Sequence, residues 1–236
     1  MAGGKLGALQ ERQFRLLWLG RVSSSFGFRR HPIAGYRKMH QGIDSKRIFV
    51  PSKALKLSTV AAEHLKNVSF VNDQSNFCYA RRVNLAIKAC APDDVVIMGD
   101  DVELMTPFGF DLLSEEAPLR LLAASVAGRI GPWWQKAGEN HAEVPFVSFT
   151  CLYIPRMVLD AVGPLEEGFP GYGYEDTDYC LRARRAGFSC GVMGKVVIEH
   201  SVKIKSAFVS AYPQNLSEME SAARAAFQDK WRRRLL

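Results

Sequence analysis

The chain has 236 residues, of which 47% are hydrophobic and 23% charged, a balance that can bury a sizeable core in one large domain, or in two small ones, and that excludes a disordered or fibrous class. Its longest apolar runs, such as VVIMG and LRLLAASVAG, fall far short of the roughly 20 residues needed to cross a bilayer, and the opening MAGGKLGALQERQF lacks the apolar centre of a signal peptide, so a soluble, cytoplasmic protein without a transmembrane segment is expected. The formal charge of +7 and pI near 9.2 suit a polyanion, a nucleotide phosphate or an acidic membrane face as partner, or simply a basic enzyme.

In chain order, FRLLWLG (Phe14–Gly20) is predicted as a buried strand, followed by a loop-rich stretch from Ser23 to Ser45. RIFVP (Arg47–Pro51) and NVSFVN (Asn67–Asn72) are further short strands, with STVAAEHLKN predicted as the helix between them. ARRVNLAIKAC is predicted as the next helix and DVVIMG (Asp94–Gly99) as the next buried strand. A second loop-rich stretch, Gly131 to Glu143, holds the adjacent Trp133 and Trp134, whose faces could stack on a sugar or a base or plug the core. GYGYEDTDYCLRARRAGF (Gly171–Phe188) is a helix with acids in its first turn, arginines in its last and Gly187 to stop it. KVVIEH is a strand ending at Glu199 and His200, and AAFQDKWRRRLL ends the chain as an amphipathic helix packed on the domain. Helices alternating with short apolar strands imply an α/β fold with a mostly parallel sheet. There is no internal repeat or linker. The five cysteines are scattered and lack a C-x-x-C pair, so they are expected as reduced, mostly buried thiols.

Two acidic groups carry the chemistry. Asp100, Asp101 and Glu103 follow directly on the strand DVVIMG, at the carboxyl edge where open α/β sheets place their ligands. Oxygen donors of this kind suit Mg²⁺ or Mn²⁺ with substrate phosphates completing the shell. Glu175, Asp176 and Asp178 open the later helix; Asp178 and Arg182 stand i,i+4 and are expected to be an ordinary helix pair. His200 at a strand end is by itself either a hydrogen-bonded structural residue or a ligand.

The order strand plus Asp-Asp, Gly-rich loop plus Glu-Asp-x-Asp, then strand plus His resembles the inverting nucleotide-sugar glycosyltransferases of family 2, from about Asn67 to His200. NVSFVNDQSNFCYARRVNLAIKACAPDDVVIMGDDVEL is similar to that family's donor half, and VSFTCLYIPRMVLDAVGPLEEGFPGYGYEDTDYCLRARRAGF to its acceptor half. The resemblance implies one domain over 1–236 of the GT-A type, a Rossmann-like, mostly parallel central sheet flanked by helices. Residues 14–105 would bind the nucleotide sugar, 106–205 the acceptor, and 206–236 form a helical tail.

It implies that Asp101 binds the divalent cation (Mn²⁺ or Mg²⁺) held by the donor diphosphate, that His200 completes its shell, and that Asp100, Glu103 and Asn84 serve the donor, a UDP-sugar. Gly99 stands where the family's Asp-x-Asp begins, leaving Asp100 or Glu103 as substitutes. Asp176 matches the catalytic base, with Glu175 orienting the acceptor or loop, and Trp133, Trp134, Tyr172 and Tyr174 fall on the acceptor side. A helix N-terminus would weaken a base by lowering its pKa, so Asp176 is expected just before the helix or partly desolvated. The implied acceptor is a saccharide or a hydroxymethylated base in DNA; the alternative is a non-catalytic sugar- or nucleic-acid-binding module. A remoter likeness, SSSFGFRRHPIAGYRKMHQGID, resembles the first metal segment of lysostaphin-type zinc peptidases through His40 and Asp44, without the H-x-H pair such a site needs.

Overall fold

The strand DVVIMG has its four central residues fully buried, and the reason lies in what covers it. In the computed structural model, which describes residues 14–19, 47–49, 68–70, 78–99, 102–127, 132–170, 173–200 and 216–233, this strand, β4 (Asp94–Gly99), is central in an eight-stranded sheet. Its partners are β1 (Phe14–Leu19), β2 (Arg47–Phe49), β3 (Val68–Phe70), β5 (Val102–Leu104), β6 (Arg120–Ala127), β7 (Cys151–Ile154) and β8 (Ser189–His200), in the order β3-β2-β1-β4-β7-β6-β8-β5. The helices among the described residues are α1 (Tyr79–Cys90), α2 (Gly109–Glu116), α3 (Arg156–Val162), α4 (Glu175–Arg185) and α5 (Leu216–Arg232); the helix expected over STVAAEHLKN lies outside them.

Alternate residues of a strand face opposite sides of the sheet, and both sides are covered. Val95, Ile97, Leu121, Ala123, Leu152 and Ile154 share one core cluster with α1, α3 and α4, through Val83, Val158 and Tyr179. Val96, Met98, Leu122, Ala124 and Tyr153 share the other with Phe110 and Leu113 of α2. The result is a helix–sheet–helix sandwich. All five cysteines are free and buried, as their apolar settings lead one to expect. No helix among the described residues is long and apolar enough to cross a membrane.

The expectation of a mostly parallel sheet is corrected to a mixed one. β1, β2, β3 and β4 are parallel neighbours, as are β6 and β8, but β7 runs antiparallel between β4 and β6, and β5 antiparallel to β8. The physical cause is the connection from β6 to β7: its described residues, 132–150, form no crossover helix and hold instead a 3₁₀ turn at Trp133–Gln135. Gln135, fully buried, donates from Nε2 to Ala124 O at 3.3 Å and accepts from Ser148 N at 3.0 Å. That one side chain ties both ends of the connection together and returns the chain antiparallel.

Reversal at β7 leaves β4, β6 and β8 pointing the same way, so their carboxyl ends share one edge. α4 ends as its local chemistry dictates. Gly187 takes φ +90°, and the bonds Phe188 N–H to Ala183 O (3.0 Å) and Gly187 N–H to Arg184 O (3.1 Å) form a Schellman cap. The cap releases the chain straight into β8 at the opposite edge. Because α4 runs back along the sheet to reach that start, its first turn stands at the carboxyl edge.

Candidate functional site

At the carboxyl end of β4, Gly99 N–H donates to Thr150 O at 3.0 Å, fastening the strand to the entry of β7. Asp100 and Asp101 lie outside the described residues. The next residue, Val102, pairs with His200 in the β5–β8 ladder, and Glu103 pairs with Glu199. The ladder therefore places His200 opposite the immediate neighbour of Asp101. It also sets two exposed glutamates directly across from one another, an arrangement that repels in the absence of a counter-charge.

The first turn of α4 is built from an unusual entry. Gly173 has φ +113° and Tyr174, which caps the helix, has φ +68°. A tyrosine held in the left-handed region costs on the order of 1–3 kcal/mol and persists only where its surroundings fix it. This entry turns the chain so that Glu175 folds back on itself: its Oε2 accepts from Gly173 N at 2.7 Å. Glu175 is 7% exposed, and burial, followed by the charge of Asp176, lifts its pKa to about 7.

Asp176 is half-buried. Its Oδ1 accepts from Thr177 N at 2.6 Å and Thr177 Oγ1 at 3.2 Å, while its Oδ2 has no protein partner among the described residues. It is the second residue of the helix, where the dipole and the Thr177 bonds favour the anion, yet burial outweighs them and raises its pKa. A carboxylate with one oxygen pinned, the other uncommitted and its basicity raised can accept a proton from a ligand.

Asp178 is not the ordinary helix pair expected. It is 0% exposed, and besides Arg182 Nε at 2.8 Å it accepts from Lys230 Nζ at 2.7 Å and from Trp231 Nε1 at 3.0 Å. Two cations and an indole N–H satisfy a carboxylate that water cannot reach. Nor is Asn84 open to a ligand: its Nδ2 donates to Leu165 O (3.0 Å) and Glu167 Oε1 (2.8 Å), and its Oδ1 accepts from Leu165 N (2.7 Å), so its amide braces α1 against the loop after α3.

Trp133 is 67% exposed and meets Trp134 and His141 edge-on, at 5.6 and 5.7 Å between centroids. Trp134 divides its surface: Nε1 donates to Phe146 O at 2.9 Å and the ring packs on the core cluster under α4. Tyr174 stacks on Phe227 at 5.1 Å, and its hydroxyl accepts from Arg224 Nε at 2.7 Å. Tyr172 and the stretch with His40 and Asp44 lie outside the described residues. The contacts of Arg224, Phe227, Lys230 and Trp231 on the acid turn are new relative to the sequence reading; their one signal is helical spacing within the tail.

No family model matches the chain. An uncharacterized protein y4gI of Sinorhizobium fredii is 27% identical over 159 residues, covering 52% of this chain and 17% of that protein, so the chain spans about a sixth of the length of this curated relative. Among solved structures, S. aureus TarS superposes with a TM-score of 0.61 at 14% identity, over 83% of this chain and 38% of TarS. GalNAc-T7 with UDP, GalNAc and Mn²⁺ gives 0.62 at 10%, over 80% and 44%. The mannosyltransferase PcManGT of Pyrobaculum calidifontis, in complex with GDP-Man and Mn²⁺, gives 0.60 at 12%, over 92% and 70%. At these identities the likeness is one of architecture: a mixed-sheet GT-A fold.

Proposed function

We propose that the chain is a metal-dependent, inverting glycosyltransferase of the family 2 type, moving a sugar from a nucleotide-sugar donor to an acceptor hydroxyl. The observation that supports this best is the acid turn: Glu175 and Asp176 desolvated side by side, with Asp176 Oδ2 unbonded among the described residues, at the edge where β4 and β8 end. Neighbours of the same fold, one with UDP, GalNAc and Mn²⁺ and another with GDP-Man and Mn²⁺, support a nucleotide sugar as substrate, with a UDP-sugar the first to test.

In this reading Asp176 Oδ2 takes the proton of the acceptor hydroxyl as its oxygen attacks the anomeric carbon from the face opposite the departing nucleoside diphosphate, inverting that carbon. Oδ1, held by Thr177, keeps the carboxylate aimed. Glu175, with a pKa near neutrality, keeps the turn closed through Gly173 without adding a full charge beside the base. Asp101 and His200 would hold the cation; the register of Val102 on His200 supports this by setting His200 beside the strand position that follows Asp101. When bound, a Mn²⁺ or Mg²⁺ ion supplies neutralisation of the diphosphate charge. Trp133, Trp134, Tyr172 and Tyr174 would line the acceptor side. The acceptor is a saccharide, with a hydroxymethylated DNA base favoured as second reading by the charge of +7.

A screen of nucleotide sugars for Mn²⁺-dependent release of nucleoside diphosphate, with glycan or hydroxymethylated DNA present, tests this. Release that disappears in chelator and in Asp101→Ala is expected. Full release in either condition would remove the metal site, and no release from any donor would leave the alternative, a non-catalytic sugar- or nucleic-acid-binding module.

A further inference from the structure

The acid turn is gripped from both sides by one face of α5. Ahead of the acid pair, Phe227 stacks on Tyr174 at 5.1 Å, Arg224 Nε donates to the Tyr174 hydroxyl at 2.7 Å, and Ala223 lies where any side chain at Gly173 would come within 4.0 Å. Behind it, Trp231 Nε1 and Lys230 Nζ both reach Asp178 Oδ1. Lys230 also spans to Glu166 Oε2 at 2.9 Å and sits over the Phe169 ring at 5.3 Å, so the loop leading into the turn is held by the same helix. Arg185 covers the outer face of Trp231 at 4.5 Å. Residues 223, 227, 230 and 231 share one helical face.

Between these grips stand only Glu175, Asp176 and Thr177. The turn has no side-chain cap of its own and enters through two residues of positive φ, a backbone that persists only where the surroundings impose it. A buried carboxylate placed two residues after Asp176 and bonded across 52 and 53 residues of chain (Lys230 and Trp231) supplies that imposition.

We infer that α5 is the positioning element of the proposed base: Trp231 and Lys230, through Asp178, and Phe227 and Arg224, through Tyr174, set where the Asp176 carboxylate stands. These are positioning residues, since each acts on the turn through Asp178 or Tyr174. The inference rests on the glycosyltransferase reading for its kinetic half only.

Trp231→Phe keeps the ring and removes the N–H to Asp178. In the full chain it is expected to lower kcat by on the order of 10²-fold, the cost of a small misplacement, with KM for the donor unchanged, and to speed hydrogen–deuterium exchange at the amides of 173–178 while leaving α1 as in the parent. Asp94→Asn, which disturbs a half-buried anchor on Arg156 N and the Tyr153 hydroxyl, serves as control and should keep kcat despite lost stability. Phe227→Leu, milder at the front grip, gives the same pattern if Trp231→Phe does not fold. A lower Tm with unchanged kcat and unchanged exchange at 173–178 would overturn the inference. If the parent protein releases no nucleoside diphosphate from any donor, the glycosyltransferase reading fails, and the exchange measurement still decides whether α5 holds the turn.

Discussion

Asp178→Asn measures how much of the fold hangs on the buried carboxylate, and its magnitude can be worked from the contacts. Asparagine keeps the shape and one acceptor oxygen, so the Trp231 N–H still finds a partner. With the amide oxygen in the place of Oδ1, the bond from Lys230 Nζ (2.7 Å) loses its charge assistance, about 1 kcal/mol, while Nδ2 faces Arg182 Nε (2.8 Å) donor to donor and that bond is lost outright, about 1–3 kcal/mol. These figures include the cost of leaving two cations near a neutral amide in a site closed to water. Lys230 retains Glu166 and Arg182 retains Val162 O at 3.0 Å, so the total stays at about 2–4 kcal/mol rather than reaching the roughly 3–5 of a fully broken buried pair. In a domain of this size each kcal/mol moves Tm by about 2–4 °C, giving a fall of about 4–16 °C, measurable by calorimetry and urea unfolding at pH 7. An exposed i,i+4 pair would cost about 0.3–0.5 kcal/mol. A loss of that smaller size would refute the reasoning, because it would mean that Asp178 is solvated in solution and α5 is not seated on it.

Asp176→Asn should cut turnover by about 10²–10⁴-fold, the range of a lost general base, with nucleotide-sugar affinity by calorimetry retained; loss of donor binding instead would mean that the turn organises the donor pocket. For Glu175 the sign follows from its pKa, raised from an ordinary 4.5 to about 7: the native state holds the proton more tightly, so the stability this group lends is full below 4.5 and is lost as pH rises through 7. Glu175→Gln should therefore raise Tm at pH 8 and leave it unchanged at pH 4, and Tm profiles of equal slope in both proteins would show that burial does not control this carboxyl. Gly194→Ala, whose new Cβ would meet Glu139 O at 2.5 Å and Glu139 C at 2.9 Å, should cost about 1–3 kcal/mol in urea unfolding, as overpacking against unyielding backbone does. Wild-type stability there would mean that the 138–142 stretch does not cross β8 where its register on β6 shifts, between Met193 and Val197.

The parts of the fold that local chemistry decides were legible. DVVIMG gives a strand covered on both faces because every position is apolar or flanking, and Gly187 stops α4 because a left-handed residue is needed there. The direction of β7 was not legible. CLYI has four apolar residues with no alternation, so neither its type nor its polarity can be read from periodicity; the reversal is made by Gln135, which reaches both Ala124 and Ser148, and nothing local marks a glutamine as a fully buried tie. The strand ends that matter, at Gly99 and His200, still fell at one edge, because β7 reverses within the sheet and leaves β4 and β8 parallel.

Within the acid turn, three carboxylates of one helix start divide by where the helix turns them. Glu175, Asp178, Tyr179, Cys180 and Ala183 are its buried positions, while Asp176 and Thr177 are half-buried. Helical spacing from Tyr179 and Ala183 brings Glu175 and Asp176 onto their face and leaves Asp178, about 100° round the helix from Tyr179, off it, so spacing within α4 offers no signal for the burial of Asp178. Nor does it supply the partner. A buried carboxylate needs more than one cation at i+4, and the Lys230 and Trp231 that complete its shell lie on a helix reached only after β8 has crossed the sheet. The division of labour that follows is physical: the inward carboxylate, held by Arg182, Lys230 and Trp231, anchors the turn, whereas the half-buried one, with one oxygen unbonded among the described residues and its pKa raised by burial, is the one able to take up a proton.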